Sequence, residues 1–219
     1  MLITAIEPQK RRRNRLNIFV EGEFAFGIDR NVLLKYGLRT GDDVDAETLR
    51  SLATDEELSR ARAYALRLLS YRMRTELELR TRLRENEFPP TTIDKVLSEL
   101  QSAGYLDDSA FARAYVHDVQ MRKPAGKRFL SIQLRRKGVP TKLATQVIDE
   151  TLSAENELES AMELARKTVR RYRSSIRPLS AEQQTRRLAN ALTRRGFSWS
   201  IIKSVLKKLL PNAHTLREE

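Results

Sequence analysis

Apolar positions change their spacing once along the chain. Over the first fifty residues they alternate: Leu16-Asn17-Ile18-Phe19-Val20 and Glu23-Phe24-Ala25-Phe26-Gly27-Ile28 flank Glu21-Gly22. That pattern predicts a hairpin with a two-residue turn. Ile3 to Ile6, stopped by Pro8, offers a third strand, and Asn31 to Tyr36 reads as a short helix ended by Gly37. Three strands with a helix are about the minimum for independent stability. From about Asp55 onward the spacing is helical, with Ala61, Ala65, Leu68 and Leu69 on one face, and no further strand signal follows.

The helical part repeats itself. Leu79, Leu83, Phe88, Ile93, Val96 and Leu97 stand at offsets 0, 4, 9, 14, 17 and 18. Leu130, Leu134, Val139, Ala144, Val147 and Ile148 keep the same offsets, and so do Leu188, Leu192, Phe197, Ile202, Val205 and Leu206. The copies begin 51 and then 58 residues apart. The extra length is most simply placed in Arg173 to Ala181, around Pro178, as a longer loop or a longer first helix. Thr75 with Glu78, and Ser180 with Gln183, read as capping boxes, in which each side chain satisfies a free backbone donor of a starting helix. The second helices are expected to stop near Asn86, Gly138 and Gly196, residues that tolerate a left-handed cap. Pro89, Pro140 and Ser198 then precede each third helix.

The expected fold class is therefore mainly α, a tandem array of three three-helix repeats resembling helix-turn-helix units, with a small N-terminal β-hairpin or sheet extension. The expected divisions are residues 1–53 for the extension, 54–106, 107–152 and 153–210 for the three modules, and 211–219 for a tail. Each module is too small to bury its own apolar surface, so neighbours in the row must cover it.

Composition narrows the function. Of 219 residues 40% are hydrophobic, which supports a core, and there is no Cys, which removes disulfide frameworks and thiolate metal sites. No apolar run approaches the ~18 residues of a membrane span. Leu2 to Ile6 precede the basic run Lys10 to Arg13, the reverse of a secretory signal. These features predict a cytoplasmic protein. No phosphate-binding G-x-x-x-x-G-K-[ST] loop, G-x-G-x-x-G, H-E-x-x-H or cysteine nucleophile is present. His117 and His214 stand far apart; the acidic pairs Asp42-Asp43 and Asp107-Asp108 lack the ligand number a hard cation needs. Asp108 with Ser109 is better read as a helix start. The chain is expected to be no enzyme and to need no cofactor.

Charge is the informative quantity. Lys and Arg number 41 against 29 Asp and Glu, a net charge of +12, and 30 of the 41 are Arg. The four successive divisions from residue 1 carry +1, 0, +4 and, with the tail included, +7. The candidate contact residues are Arg122, Lys123, Lys127, Arg128, Arg135, Arg136 and Lys137 in module two. In module three they are Arg166, Lys167, Arg170, Arg171, Arg173, Arg186, Arg187, Arg194, Arg195, Lys203, Lys207 and Lys208. The bland reading is a solvated face; a one-sided excess is also the footprint of phosphate binding. Lys10 to Arg13 read as a separate anchor or as a linker between strands. Only 6% of residues are aromatic, so backbone electrostatics are expected to outweigh base stacking.

Thr75-Glu76-Leu77-Glu78-Leu79-Arg80-Thr81-Arg82-Leu83, then Gly104-Tyr105-Leu106-Asp107-Asp108-Ser109-Ala110-Phe111-Ala112, then Leu134-Arg135-Arg136-Lys137-Gly138-Val139 resemble the RecX family of bacterial recombination regulators. Its pattern runs S-x-x-E-L-x-x-x-L, G-Y-[LI]-D-D-x-x-F and L-x-x-K-G-[IV], with Thr75 here in place of Ser. The resemblance covers about residues 58 to 210. The N-terminal hairpin is similar to an extension found in some members, and Pro124 interrupts a stretch that is often glycine-rich. The resemblance implies a curved array that binds the RecA recombinase filament and single- and double-stranded DNA. It further implies that such binding suppresses ATP hydrolysis, strand exchange and co-protease activity without catalysis. A monomer without membrane contact is expected. The alternatives are a sequence-specific DNA-binding protein of tandem helix-turn-helix modules and a helical scaffold that binds only protein.

Overall fold

The computed structural model describes residues 1–10, 14–173 and 180–210, which fall into two compact units. One comprises residues 1–73 and 79–106, the other residues 74–78 and those from Asp107 onward.

In the first unit, β1 (Ile3–Pro8), β2 (Arg15–Val20) and β3 (Glu23–Asp29) form an antiparallel sheet in sequence order. The β2–β3 turn places Glu21 and Gly22 at φ 52° and 86°, the paired left-handed geometry that suits a two-residue hairpin. Helix α1 (Arg30–Tyr36) ends on Gly37 in the left-handed conformation. Ile3, Leu16, Ile18, Ile28, Val32, Leu33, Val44 and Leu52 form a core under this sheet. The long helix α2 (Ala46–Tyr71) then runs straight across the division expected at residues 53 and 54. Its start lies nine residues earlier than Asp55 because the Asp45 carboxylate accepts from the Thr48 N–H at 2.7 Å, a cap that opens the helix. Leu52 of α2 joins the sheet core, while Leu58, Ala61 and Ala65 join a second core with α3 (Glu76–Glu85) and α4 (Pro90–Ser102). Between the two cores lies Glu56, only 6% exposed. Its carboxylate pairs with Arg15 of β2 at 2.7 Å and accepts the Asp29 N–H at 2.6 Å.

The second unit holds α5 (Asp108–Arg122), α6 (Lys127–Arg136) and α7 (Thr141–Thr151), then α8 (Ala154–Arg173), α9 (Ala181–Arg194) and α10 (Trp199–Leu209). Each triplet closes on its own core, centred on Leu130, Leu134 and Val147 in one and on Leu188, Leu192 and Val205 in the other. The three-helix repeat is thus realised, with the repeat positions buried apart from Phe88 and Leu206, which are half-buried. Helix α8 has 20 residues against 15 in α5, and α9 has 14 against 10 in α6. The extra length of the third copy therefore lengthens both helices; residues 174–179, including Pro178, lie outside the described residues. The left-handed residue after α3 is Glu87, at φ 61°, not Asn86, whose side-chain amide instead donates to the Tyr64 hydroxyl. No helix among the described residues is long and apolar enough to cross a membrane.

Candidate nucleic-acid interface

The cationic modules are held by a joint that occurs twice within the second unit. Each time, the start of a second helix is seated on the end of the next module's second helix and the first turn of its first helix. At one occurrence the Thr75 hydroxyl donates to the Lys137 carbonyl at 2.6 Å and accepts from the Glu78 N–H at 3.2 Å. The Asp108 carboxylate accepts the Glu76 N–H at 2.9 Å. At the other, the Gly126 N–H donates to the Arg195 carbonyl at 2.9 Å, and the buried Glu157 carboxylate accepts the Lys127 N–H at 3.0 Å. Thr75 and Gly126 are equivalent in the first repeat spacing, as are Lys137 and Arg195 in the second.

Glycine is required here by proximity. A Cβ on Gly126, whose φ is an ordinary −77°, would stand 2.3 Å from the Gly196 carbonyl oxygen. A Cβ on Gly138 would stand 2.3 Å from Leu77 Cβ.

The acidic pair of the G-Y-L-D-D stretch is explained by this joint. Asp107, not Asp108, caps α5, accepting from the Ser109 and Ala110 N–H groups at 2.7 and 3.0 Å. Asp108 serves the start of α3. Burial raises its pKa, with the nearby Glu76, Asp107 and Glu78 charges acting in the same direction and the Glu76 N–H opposing.

The nineteen expected contact residues separate into distinct classes. Arg195, one of the candidate contacts, is half-buried: it donates through Nε to the Pro124 carbonyl at 3.0 Å and through a terminal nitrogen to the Lys123 carbonyl. Its guanidinium stacks 4.2 Å from the Phe129 ring centroid. Burial draws its pKa below the usual guanidinium value. Lys137, also half-buried, lies 3.6 Å from Glu78 and over the Phe111 and Tyr115 rings. Arg195 and Lys137 are thus parts of the joint. Lys127 pairs with Asp149 at 2.6 Å and Arg122 with Asp118 at 2.8 Å. In α8, Lys167 pairs with Glu163 at 2.5 Å; Arg170 and Arg171 are exposed, and the Arg173 side chain lies outside the described residues, as do Arg11 to Arg13 and His214. His117 is exposed.

The remaining candidates share one property. Lys123, Arg128, Arg135, Arg136, Arg186, Arg187, Arg194, Lys203, Lys207 and Lys208 are exposed, and none makes an ion pair with a described residue. The same holds for Arg166. Ion pairing among side chains therefore leaves much of the charge of this unit available to an outside anion.

Composition also hid one residue. Trp199, the chain's single tryptophan, is 47% exposed at the head of α10. It lines a cleft of about 510 Å³ with Lys127, Arg128, Glu157, Thr193, Gly196, Phe197, Ser198 and Ile202. The available signal was its place ahead of Lys203 and Lys207 at helical spacing.

Comparison with known proteins matches four domain models in register with these elements. Residues 1–45 match the regulatory protein RecX N-terminal domain. Residues 61–100, 107–148 and 155–206 match the first, second and third RecX three-helix domains. The regulatory protein RecX of Clostridium botulinum (strain Alaska E43 / Type E3) is 32% identical over 215 residues, covering 95% of this chain and 96% of that one. That of Bacillus velezensis is 32% identical over 206 residues, covering 94% and 76%. A crystal structure of regulatory protein RecX superposes with a TM-score of 0.75 at 29% identity, covering 93% of this chain and 98% of that one. The structure of RecX from Lactobacillus salivarius, at 23% identity, a TM-score of 0.64 and coverage of 71% and 97%, shares the fold.

Proposed function

Since the chain belongs to the RecX family of regulatory proteins, we propose that it is a negative regulator of the RecA recombinase. It binds the recombinase–DNA filament and inhibits ATP hydrolysis, strand exchange and co-protease activity, with accessory nonspecific DNA binding and no catalysis of its own. It acts in the cytoplasm as a monomer. The observation that carries this reading, beside family membership, is the set of exposed cations in the second unit without ion-pair partners among the described residues. A nucleoprotein filament presents DNA phosphate and acidic protein surface together, and guanidinium groups bind both through charge-assisted hydrogen bonds.

The test reverses Arg135, Arg136 and Arg194 to Glu. These residues are exposed at the ends of α6 and α9, and Arg195 is left intact because it holds the joint. Acid at a helix C-terminus opposes the dipole by ~0.3–1 kcal/mol per site, so circular dichroism must first show a folded variant. The matched control reverses Arg80, Arg82 and Arg84 in the module of zero net charge, where Arg80 pairs with Asp94 and Arg82 with Glu85. The first variant is expected to lose suppression of recombinase ATP hydrolysis while the control keeps most of it. Equal loss in both, or none in either, makes the charge excess a solvated face.

A further inference from the structure

We propose that the cleft at the head of α10 is a stacking site for one unpaired base of single-stranded nucleic acid, with Trp199 as its platform. The inference deepens the nucleic-acid part of the proposed function and rests on it.

Three observations converge. The indole is half-exposed at the cleft, an unusual place for a large apolar ring whose burial would otherwise favour folding. Beside it are two cationic residues, Lys127 and Arg128; Lys127 is committed to Asp149, whereas Arg128 has no ion-pair partner among the described residues. Along α10, Lys203 and Lys207 follow Trp199 at intervals of four residues, both exposed and without ion pairs to described residues. Each such interval advances ~6 Å along the helix and turns ~40° around it, so an aromatic ring heads a row of evenly stepped positive charges. A single strand offers the complementary order: a π-face, then phosphates at regular steps. The acidic lining residue, Glu157, is 6% exposed and accepts the Lys127 N–H, so its charge is directed at the start of α6. Phe197 and Ile202 supply apolar lining, and Thr193 and Ser198 supply hydroxyls. A duplex keeps its bases stacked and cannot offer a free face without unpairing. The site therefore adds affinity for single strands over the electrostatic binding that both forms share.

Because Trp199 is the single tryptophan of the chain, its emission reports on this site. Fluorescein-labelled oligothymidine and a mixed-sequence duplex are titrated by anisotropy, and unlabelled copies are titrated by tryptophan emission. Saturable quenching by the single strand, with the anisotropy midpoint and well above that by duplex, is expected. Trp199→Ala should weaken single-strand binding roughly ten- to hundredfold and duplex binding less than threefold, with Trp199→Phe recovering part of the loss. Circular dichroism verifies both variants, and quenching in the unmodified protein supplies the answer if Trp199→Ala does not fold. Tight binding of both DNAs with unchanged emission and a neutral Trp199→Ala overturns the stacking site and leaves electrostatic DNA binding standing. Failure of both DNAs to bind overturns the nucleic-acid reading as well. Quenching by an acidic peptide with a central phenylalanine, but not by oligothymidine, assigns the cleft to protein and overturns the proposal.

Discussion

Arg194 and Arg195 are adjacent in the sequence yet belong to different parts of the energetics. Arg194 is exposed, whereas Arg195 donates to two carbonyls of the α5–α6 loop and covers the Phe129 ring. Arg194→Ala is expected to change unfolding free energy by less than ~0.5 kcal/mol. Arg195→Ala should cost roughly 1.5–3 kcal/mol, the range for hydrogen bonds to charged groups; urea unfolding followed by circular dichroism measures both. Asp108 gives a pH-dependent counterpart. Burial raises its folded-state pKa above the unfolded value, so its favourable contribution is complete below the unfolded carboxylate pKa. That contribution is lost as pH rises through the folded one. Asp108→Asn keeps an oxygen able to accept the Glu76 N–H and removes the charge. The variant should gain on the parent as pH rises through that window, then hold a constant advantage toward neutrality, as urea midpoints at a series of pH values would show. A constant difference at all pH values would refute the assignment.

At the scale of elements, α2 ties the sheet to the helices, and the Arg15–Glu56 pair fixes its register. Glu56→Ala removes the carboxylate partner of Arg15, which keeps its bond to the Gly27 carbonyl, and the acceptor of the Asp29 N–H; removal of one partner of a buried pair costs ~3 kcal/mol. The expected signature is a lowered urea midpoint for the first unit. What the sequence disclosed follows the same division between near and far. The six repeat positions were legible because burial of a helix face recurs every three or four residues, and the hairpin because Glu21-Gly22 sits between alternating runs. The start of α2 was obscured because residues 46–54 offer only Leu49 and Leu52 as large apolar positions, too few to display a helical period. Asp108, Glu157 and Arg195 were misread or passed over because their partners lie 32, 30 and 71 residues away, beyond any local pattern. The charge excess was visible in composition. Which cations were already engaged was not, since Lys127 and Lys137 look like Arg135 and Arg136 until their partners are placed.

For the whole molecule, charge is concentrated from residue 107 onward, at +11 of the total +12. If ~6–10 phosphates are neutralised, DNA affinity should fall ~10³–10⁵ between ~50 and ~200 mM salt. A flat response in anisotropy titrations would remove the electrostatic premise, and a strong preference for one duplex sequence would favour a sequence-reading protein. The joint bears on how such a chain is made. Helix α6 is preceded by Gly126, which has no side chain to cap it, and the Gly126 and Lys127 N–H groups are met by Arg195 and by Glu157, the latter 30 residues downstream of Lys127. A ribosome delivers the chain from the N-terminus, so these acceptors emerge long after α6 itself. The nascent α6 must wait with its leading turn open to water, and helices made later close a seam in one made earlier.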